Sequence, residues 1–403
     1  MILRRLLPPI LLVLCACQEK LTAPGDCPAL CPGGVPQVFD EVITPIIGAD
    51  SSFRGYVQPN GAPGLLVSNG LQGQQQRAIM RFPPRSDSVS VRDTMRTYVI
   101  DSVAFTLTLL ARDTTLGGLL LDLYRLPPNI DTATTFADLD PAFSAPENLV
   151  TQIPIPDSLK AGQVRAVLQG PDLAKVVIPP TDSGTLAVGV RLNAPTVTGV
   201  RLGAGGSAAG VFLTYATLDV PDTGTAKLRT FALTPSFSSF LPAIQQSDDS
   251  TLLSVGGEPS ARALMRFELP ARLRDSATIV RATLELTPVS PINGLPTDPL
   301  RLQANAVVAD LGAKSPVNTA PGRVPMDTIE SGSSGTVSLE AVRIVELWEG
   351  RSSPPAALVL SATPDLEGAS FSRPVFYSTR AADPAVRPRL RISYMLAFPF
   401  ENP

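Results

Sequence analysis

The sequence predicts an all-β protein with two tandem antiparallel β-sandwiches, and three observations carry that expectation. Proline and glycine occur 41 and 30 times, with Val-, Thr- and Leu-rich stretches between them. That composition suits many short strands joined by turns. The segment Gln76-Arg77-Ala78-Ile79-Met80-Arg81-Phe82-Pro83 returns as Ala261-Arg262-Ala263-Leu264-Met265-Arg266-Phe267-Glu268, a sign of internal repetition. Each copy is followed by an alternating stretch, at 100–109 and at 279–286. In the second, Val280, Ala282, Leu284 and Leu286 alternate with Ile279, Arg281, Thr283 and Glu285, the period of a half-buried strand.

Other apolar stretches pair off in the same order: 119–123 with 300–304, 186–192 with 357–360, and 211–215 with 390–394. Half-buried strands need a second apolar face, so each half is expected to be a sandwich. The first is placed at 38–220 and the second at 221–397, with the boundary near Pro221. Period 2 sends Met80, Phe82, Met265 and Phe267 inward, and Arg81 and Arg266 to the opposite face. Between Ser338 and Gly350 the period changes. Ala341, Ile344, Val345 and Trp348 fall at helical spacing, Ser338 can cap the start, and Gly350 follows the end.

These motifs resemble those of the DNRLRE-type domain family, jelly-roll-like β-sandwiches of secreted bacterial and archaeal proteins. The family pattern of Arg-hydrophobic-Leu-Arg-Phe is similar to 262–267, and its following strand to 282–286. Its short helix ending Val-x-x-Trp-x-x-Gly matches Val345-Glu346-Leu347-Trp348-Glu349-Gly350. Its terminal signals match Phe376-Tyr377-Ser378 and Pro388-Arg389-Leu390. The resemblance covers most of 230–395; 38–220 keeps the first motif but lacks the helix and its tryptophan. Pro354-Pro355 stands where the family has an Asn-Gly-like turn. The resemblance implies two jelly-roll-like sandwiches, and carbohydrate binding as in some relatives.

The N-terminus carries a separate signal. Arg4 and Arg5 precede an apolar run, 6–16, too short to span a bilayer but suited to a signal-peptide core. It closes in Leu14-Cys15-Ala16-Cys17, which resembles the bacterial lipobox. The resemblance implies a signal peptide at 1–16, cleavage before Cys17 and a lipid on its sulfur. Two or three acyl chains anchor a protein stably. Gln18 in place of Asp favours the outer membrane under the Gram-negative sorting rule. The stretch 17–37 reads as a lipidated, Pro/Gly-rich tether. Within it Cys27 and Cys31 form a C-x-x-x-C pair, expected as a local disulfide in an oxidising compartment.

The chain contains no histidine, which removes the Ser-His-Asp triad, the Cys-His pair and His-based zinc sites. Asp182-Ser183-Gly184 and Asp222-Thr223-Gly224 match the core of the aspartic-protease motif. The apolar pair that normally precedes it is absent, with Pro180-Thr181 and Val220-Pro221 in its place, so both read as turns. Gly203 to Gly210 lacks the Lys-Ser/Thr of a phosphate loop and reads as a hairpin connection. Asp131, Asp138 and Asp140 lack EF-hand spacing and read as a solvated loop rather than a calcium site. Paired glycosidase carboxylates have no signature here, because their separation is a property of the fold. No metal or cofactor is expected, and the chain does not read as an enzyme.

The net charge of −3 and the lack of a basic run argue against nucleic acid. Arg387, Arg389 and Arg391 alternate with Pro388, Leu390 and Ile392, so they share one face of the last strand and are the candidate glycan-binding residues. Trp348 is a candidate sugar-stacking platform, although its helix stripe points to core packing. The expected function is a non-catalytic lipoprotein of the cell envelope that binds polysaccharide. The alternative is a structural or assembly lipoprotein that engages another envelope protein. Cys17→Ser should leave a precursor that no longer incorporates labelled palmitate; undiminished labelling would contradict lipidation of Cys17.

Overall fold

Strands dominate because the alternating stretches find partners far along the chain. The computed structural model describes residues 37–396, apart from 87, 92, 179–183, 219–226, 245–248, 321, 323 and 350–353. In chain order the strands begin with β1 (Val38–Ile43), β2 (Ser51–Arg54), β3 (Gly64–Leu71), β4 (Gln74–Phe82), β5 (Ser88–Val91), β6 (Thr94–Arg112) and β7 (Leu120–Leu126). After helix α1 (Phe136–Ser144) come β8 (Leu149–Pro154), β9 (Gly162–Gln169), β10 (Leu186–Asn193), β11 (Gly199–Gly203) and the single turn α2 (Gly206–Ala209). Then follow β12 (Val211–Leu218), β13 (Lys227–Leu233), β14 (Phe237–Pro242), β15 (Leu252–Ser254), β16 (Ala261–Arg266), α3 (Ala271–Asp275) and β17 (Ala277–Leu286). The rest are β18 (Leu300–Ala306), β19 (Met326–Ile329), β20 (Val337–Glu340), α4 (Val342–Leu347), β21 (Ala357–Ala362), β22 (Val375–Tyr377) and β23 (Arg389–Leu396).

The protein is all-β with two sandwiches. In one, the order β13-β12-β6-β9 forms a layer facing β14-β4-β10-β7-β8. β6 runs for 19 residues and also pairs with β11 near its end, so both layers belong to one continuous sheet. In the other, β1-β23-β17-β20 packs over β2-β16-β21-β18-β19. The two orders correspond strand for strand, and the repeated segment occupies β4 and β16. Met80, Phe82, Met265 and Phe267 are buried as period 2 requires, while Arg81 and Arg266 lie on the other face. Phe82 and Phe105 pack around Phe212, with ring centroids 4.8 and 4.4 Å from it.

The opposite faces of β4 and β16 are also covered. Ile79 joins Tyr124, Phe143 and Leu241 under α1, and Leu264 joins Val307, Val359 and Phe53. The first arginine of each motif is used alike. Arg77 lies over the Phe136 ring at 4.0 Å and pairs with Asp140, while Arg262 lies over the Tyr56 ring at 4.3 Å and pairs with Glu367. Each arginine thus combines a cation–π contact with a carboxylate partner.

The boundary differs from the expected one at Pro221. β1 and β2, from the start of 38–220, complete the second sandwich, β1 on β23 and β2 on β16. β13 and β14, from beyond 221, complete the first, on β12 and β4. An unpaired strand edge is costly when flanked by apolar layers, and here each sandwich is closed by the strand pair lying across the boundary in sequence. The link between β1 and β2 is pinned by Asp50, which is fully buried and accepts hydrogen bonds from Thr379 N at 2.7 Å and Thr379 Oγ1 at 2.6 Å.

The predicted helix from Ser338 is shorter than expected. Ser338 lies in β20, opposite Glu285, and the helix spans only Val342–Leu347, with Ala341 rather than Ser338 at its start. Val337 and Leu339 are buried with period 2, and pairing with β17 wins over helix extension at that edge. The apolar stripe Ala341, Ile344, Val345 and Trp348 is buried as the spacing implied. Gly350, the expected helix stop, lies outside the described residues.

Loops of the second sandwich also pack on β11 of the first. Phe371 and Leu295, from the second, belong to the first sandwich's apolar cluster, and a Cβ on Gly199 would come within 2.7 Å of the Phe371 ring. Beside them Arg201 Nε donates to Asp298 Oδ2 at 2.9 Å and Arg201 Nη2 to Asp298 Oδ1 at 2.7 Å, with side chains only 12% and 8% exposed. Removing one partner strands a buried charge, which costs about 3 kcal/mol or more. Asp298→Ala should therefore lower the urea midpoint of the intact protein by a corresponding amount; an unchanged midpoint would contradict this role.

Candidate functional site

The three candidate arginines are not equivalent. Arg389 and Arg391 share a face of β23, and both approach one carboxylate: Arg389 Nε donates to Glu285 Oε2 at 2.6 Å and Arg391 Nε to Glu285 Oε1 at 3.3 Å. Arg387 precedes the strand, at the end of the turn Pro384–Val386, and its Nε donates to Ala381 O at 2.8 Å. The structure therefore brings Arg389 and Arg391 together around Glu285 and turns Arg387 to the backbone. The sequence spacing gave the shared strand face, but the Glu285 partner comes from β17, far away in the chain.

Trp348 is 1% exposed and its ring packs 5.5 Å from that of Phe267, so it is a core side chain and no open platform. Asp131, Asp138 and Asp140 have separate tasks. Asp131 Oδ1 accepts from Ala133 N at 2.8 Å, Asp138 forms a capping box with Thr135 at the start of α1, and Asp140 pairs with Arg77. Among the described residues no group of three or more Cys, Asp or Glu side chains is placed to hold a metal. Gly203 to Gly210 is no simple hairpin. It links β11 to β12, and both pair with β6 rather than with each other. A Cβ on Gly203 would lie 2.6 Å from Ala208 O, which explains a glycine there. Cys17, Cys27, Cys31, Asp182, Ser183 and Asp222-Thr223-Gly224 lie outside the described residues.

A recess lies along the seam of the two sandwiches, a cleft of about 520 Å³. One wall is 57–60, where the chain crosses from β2 in the second sandwich to β3 in the first. The first sandwich adds 131–136 and 239–242, and the second adds Glu258 and Pro259. Arg81, the outward arginine of the repeated motif, braces 131–136 by donating from Nη1 to Ile130 O at 2.9 Å. The loop that presents Glu258 is closed by two hydrogen bonds, Gly256 N to Ala261 O at 2.9 Å and Ala261 N to Gly256 O at 3.1 Å. Gly256 and Gly257 hold φ of 69° and 67°, a left-handed backbone that favours glycine.

The cleft is polar and slightly acidic. Gln58, Asn60, Thr132, Thr134 and Ser239 supply amides and hydroxyls, Asp131 and Glu258 supply carboxyls, and no Lys or Arg is among its lining residues. Burial pushes the Glu258 carboxyl up to about 7, and the charge of Arg54 only partly opposes the shift. The Asn60 side chain is exposed at the mouth of the cleft. Sequence reading missed this site because its walls come from four separate stretches, 57–60, 131–136, 239–242 and 258–259. The one local signal was Gly256-Gly257-Glu258-Pro259, an acid held in a turn-forming run.

No family model matches the chain, and no curated protein matches it. A solved structure, the M60 catalytic domain with the CBM51-1 and CBM51-2 domains from Clostridium perfringens ZmpB, aligns at 6% identity over 89% of this chain, with a TM-score of 0.14. The chain spans 39% of that protein's length, and so slight a likeness carries no argument.

Proposed function

We propose that this protein is a non-catalytic lipoprotein of the cell envelope, anchored in the outer membrane by a lipid on Cys17, that binds polysaccharide. One observation carries the binding part: the seam cleft gathers amide, hydroxyl and carboxyl side chains with apolar walls. A recess of this size and mixed character suits a polyhydroxylated ligand. Support for the anchor is the lipobox-like Leu14-Cys15-Ala16-Cys17. Among the described residues no helix is long and apolar enough to cross a membrane.

A second reading rests on a different feature. β1 is the edge of its sheet, and Val38 and Val42 on it are 56% and 49% exposed. A free strand edge can take a strand from another protein, as an assembly lipoprotein would require. A glycan array probed with the full-length protein in detergent separates the two. Retention of at least one polysaccharide supports the binding reading. Retention of none, with an envelope protein cross-linked through β1, overturns it in favour of assembly.

A further inference from the structure

We propose that the cleft between the sandwiches seats a short uncharged stretch of polysaccharide, hydrogen-bonded by Gln58, Asn60, Asp131 and Glu258. This rests on the polysaccharide-binding reading and narrows it, from glycans in general to neutral ones and from the whole surface to one seam. Charge decides the class. No cationic side chain lines the cleft, so uronates, sulfates and phosphates find no counter-charge there. The face that could have taken an anion is committed elsewhere, since Arg389 and Arg391 both approach Glu285.

Polar capacity points the same way. The amide of Asn60, on an exposed side chain, and the carboxyl of Glu258 both line the cleft. The Gln58 amide donates to Gly55 O at 3.5 Å, at the limit of a hydrogen bond. Amides and acids side by side offer donors and acceptors together, which is what vicinal hydroxyls require. Val57, Pro59, Pro242 and Pro259 give apolar surface for the C–H faces of a sugar ring. The volume, about 520 Å³, falls within the ~300–1,000 Å³ of ordinary small-ligand sites. Because the walls come from both sandwiches, a bound chain would bridge them.

The Glu258 carboxyl gives the site a pH signature. It stays protonated up to about pH 7 because burial disfavours its charge, with Arg54 pulling the other way. Among the described residues, Asp131 lies across the cleft from it, and Arg373 packs its side chain on Gly257. Protonated, Glu258 donates to a sugar oxygen. Above pH 7 the donor is lost and a carboxylate faces the oxygen instead, so affinity falls with rising pH. Glu258→Gln keeps a donor at every pH and should bind with a flat profile.

Isothermal titration of the full-length protein in detergent tests this, with dextran and galactomannan as neutral probes and alginate and polygalacturonate as anionic ones. The expected result is binding of a neutral probe at pH 5.5 that weakens about tenfold at pH 8.5, one hydrogen bond's worth of free energy. Glu258→Gln should remove the pH dependence, and Asn60→Ala should weaken binding severalfold at both values. A folding control is built in. The raised pKa makes wild-type stability fall as pH climbs from about 4.5 to 7, so above pH 7 Glu258→Gln should melt at least as high as wild type. Binding of anionic probes alone overturns the inference while leaving the polysaccharide reading in place. So does neutral binding that ignores pH and both substitutions. Failure of every probe, together with an empty glycan array, overturns both.

Discussion

The structure depends on closing two sheet edges with strands drawn from across the chain. β1 lies beside β23, with Val38 opposite Met395, and β2 lies beside β16, with Arg54 opposite Ala261. β1 buries little of its own, Ile43 alone among its residues, so the ladder itself must hold it. Side chains reinforce that ladder: Phe39 stacks on Tyr394 at 5.6 Å, Glu41 pairs with Arg272, and Ser393 donates to Asp40. The buried Asp50 fixes the turn between the two strands to Thr379. Closing a loop of this length costs entropy only logarithmically, so the ladder and the buried polar anchor can outweigh it.

That closure also creates the cleft. Because β2 belongs to one sandwich and β3 to the other, residues 57–60 must cross the seam, and they become one of its walls. The buried Arg201–Asp298 pair and the Phe371–Gly199 packing hold the sandwiches in contact, so residues 131–136 and Glu258 stay opposed. A site assembled in this way couples binding to the relation between the two sandwiches.

Much of the fold was legible because it rests on local period. The repeated Arg-Ala-x-Met-Arg-Phe segments fall on equivalent strands, and their inward and outward faces follow from alternation. The exchange of strands was not legible from hydropathy, since edge strands such as β1 lack an apolar face. A faint echo did exist. Thr44-Pro45 followed by Ser51-Ser52-Phe53 returns as Thr234-Pro235 followed by Ser238-Ser239-Phe240, the two closing segments. Ser338 was misassigned because its stretch satisfies both a helical stripe and a strand alternation, and only the open edge of β17 decides between them. Among site residues, the shared face of Arg389 and Arg391 was readable, but Glu285 between them was not. The cleft escaped because no local pattern reports residues that meet across a seam.

The N-terminal strand pair completes the second sandwich. The most direct measurement is hydrogen exchange on a chain beginning at residue 57, with and without an added 37–56 peptide. Protection should be lost along β16, β17 and β23, be retained along β4, β6 and β12, and return when the peptide is supplied. Undiminished protection of β16 and β23 in the shortened chain would contradict it.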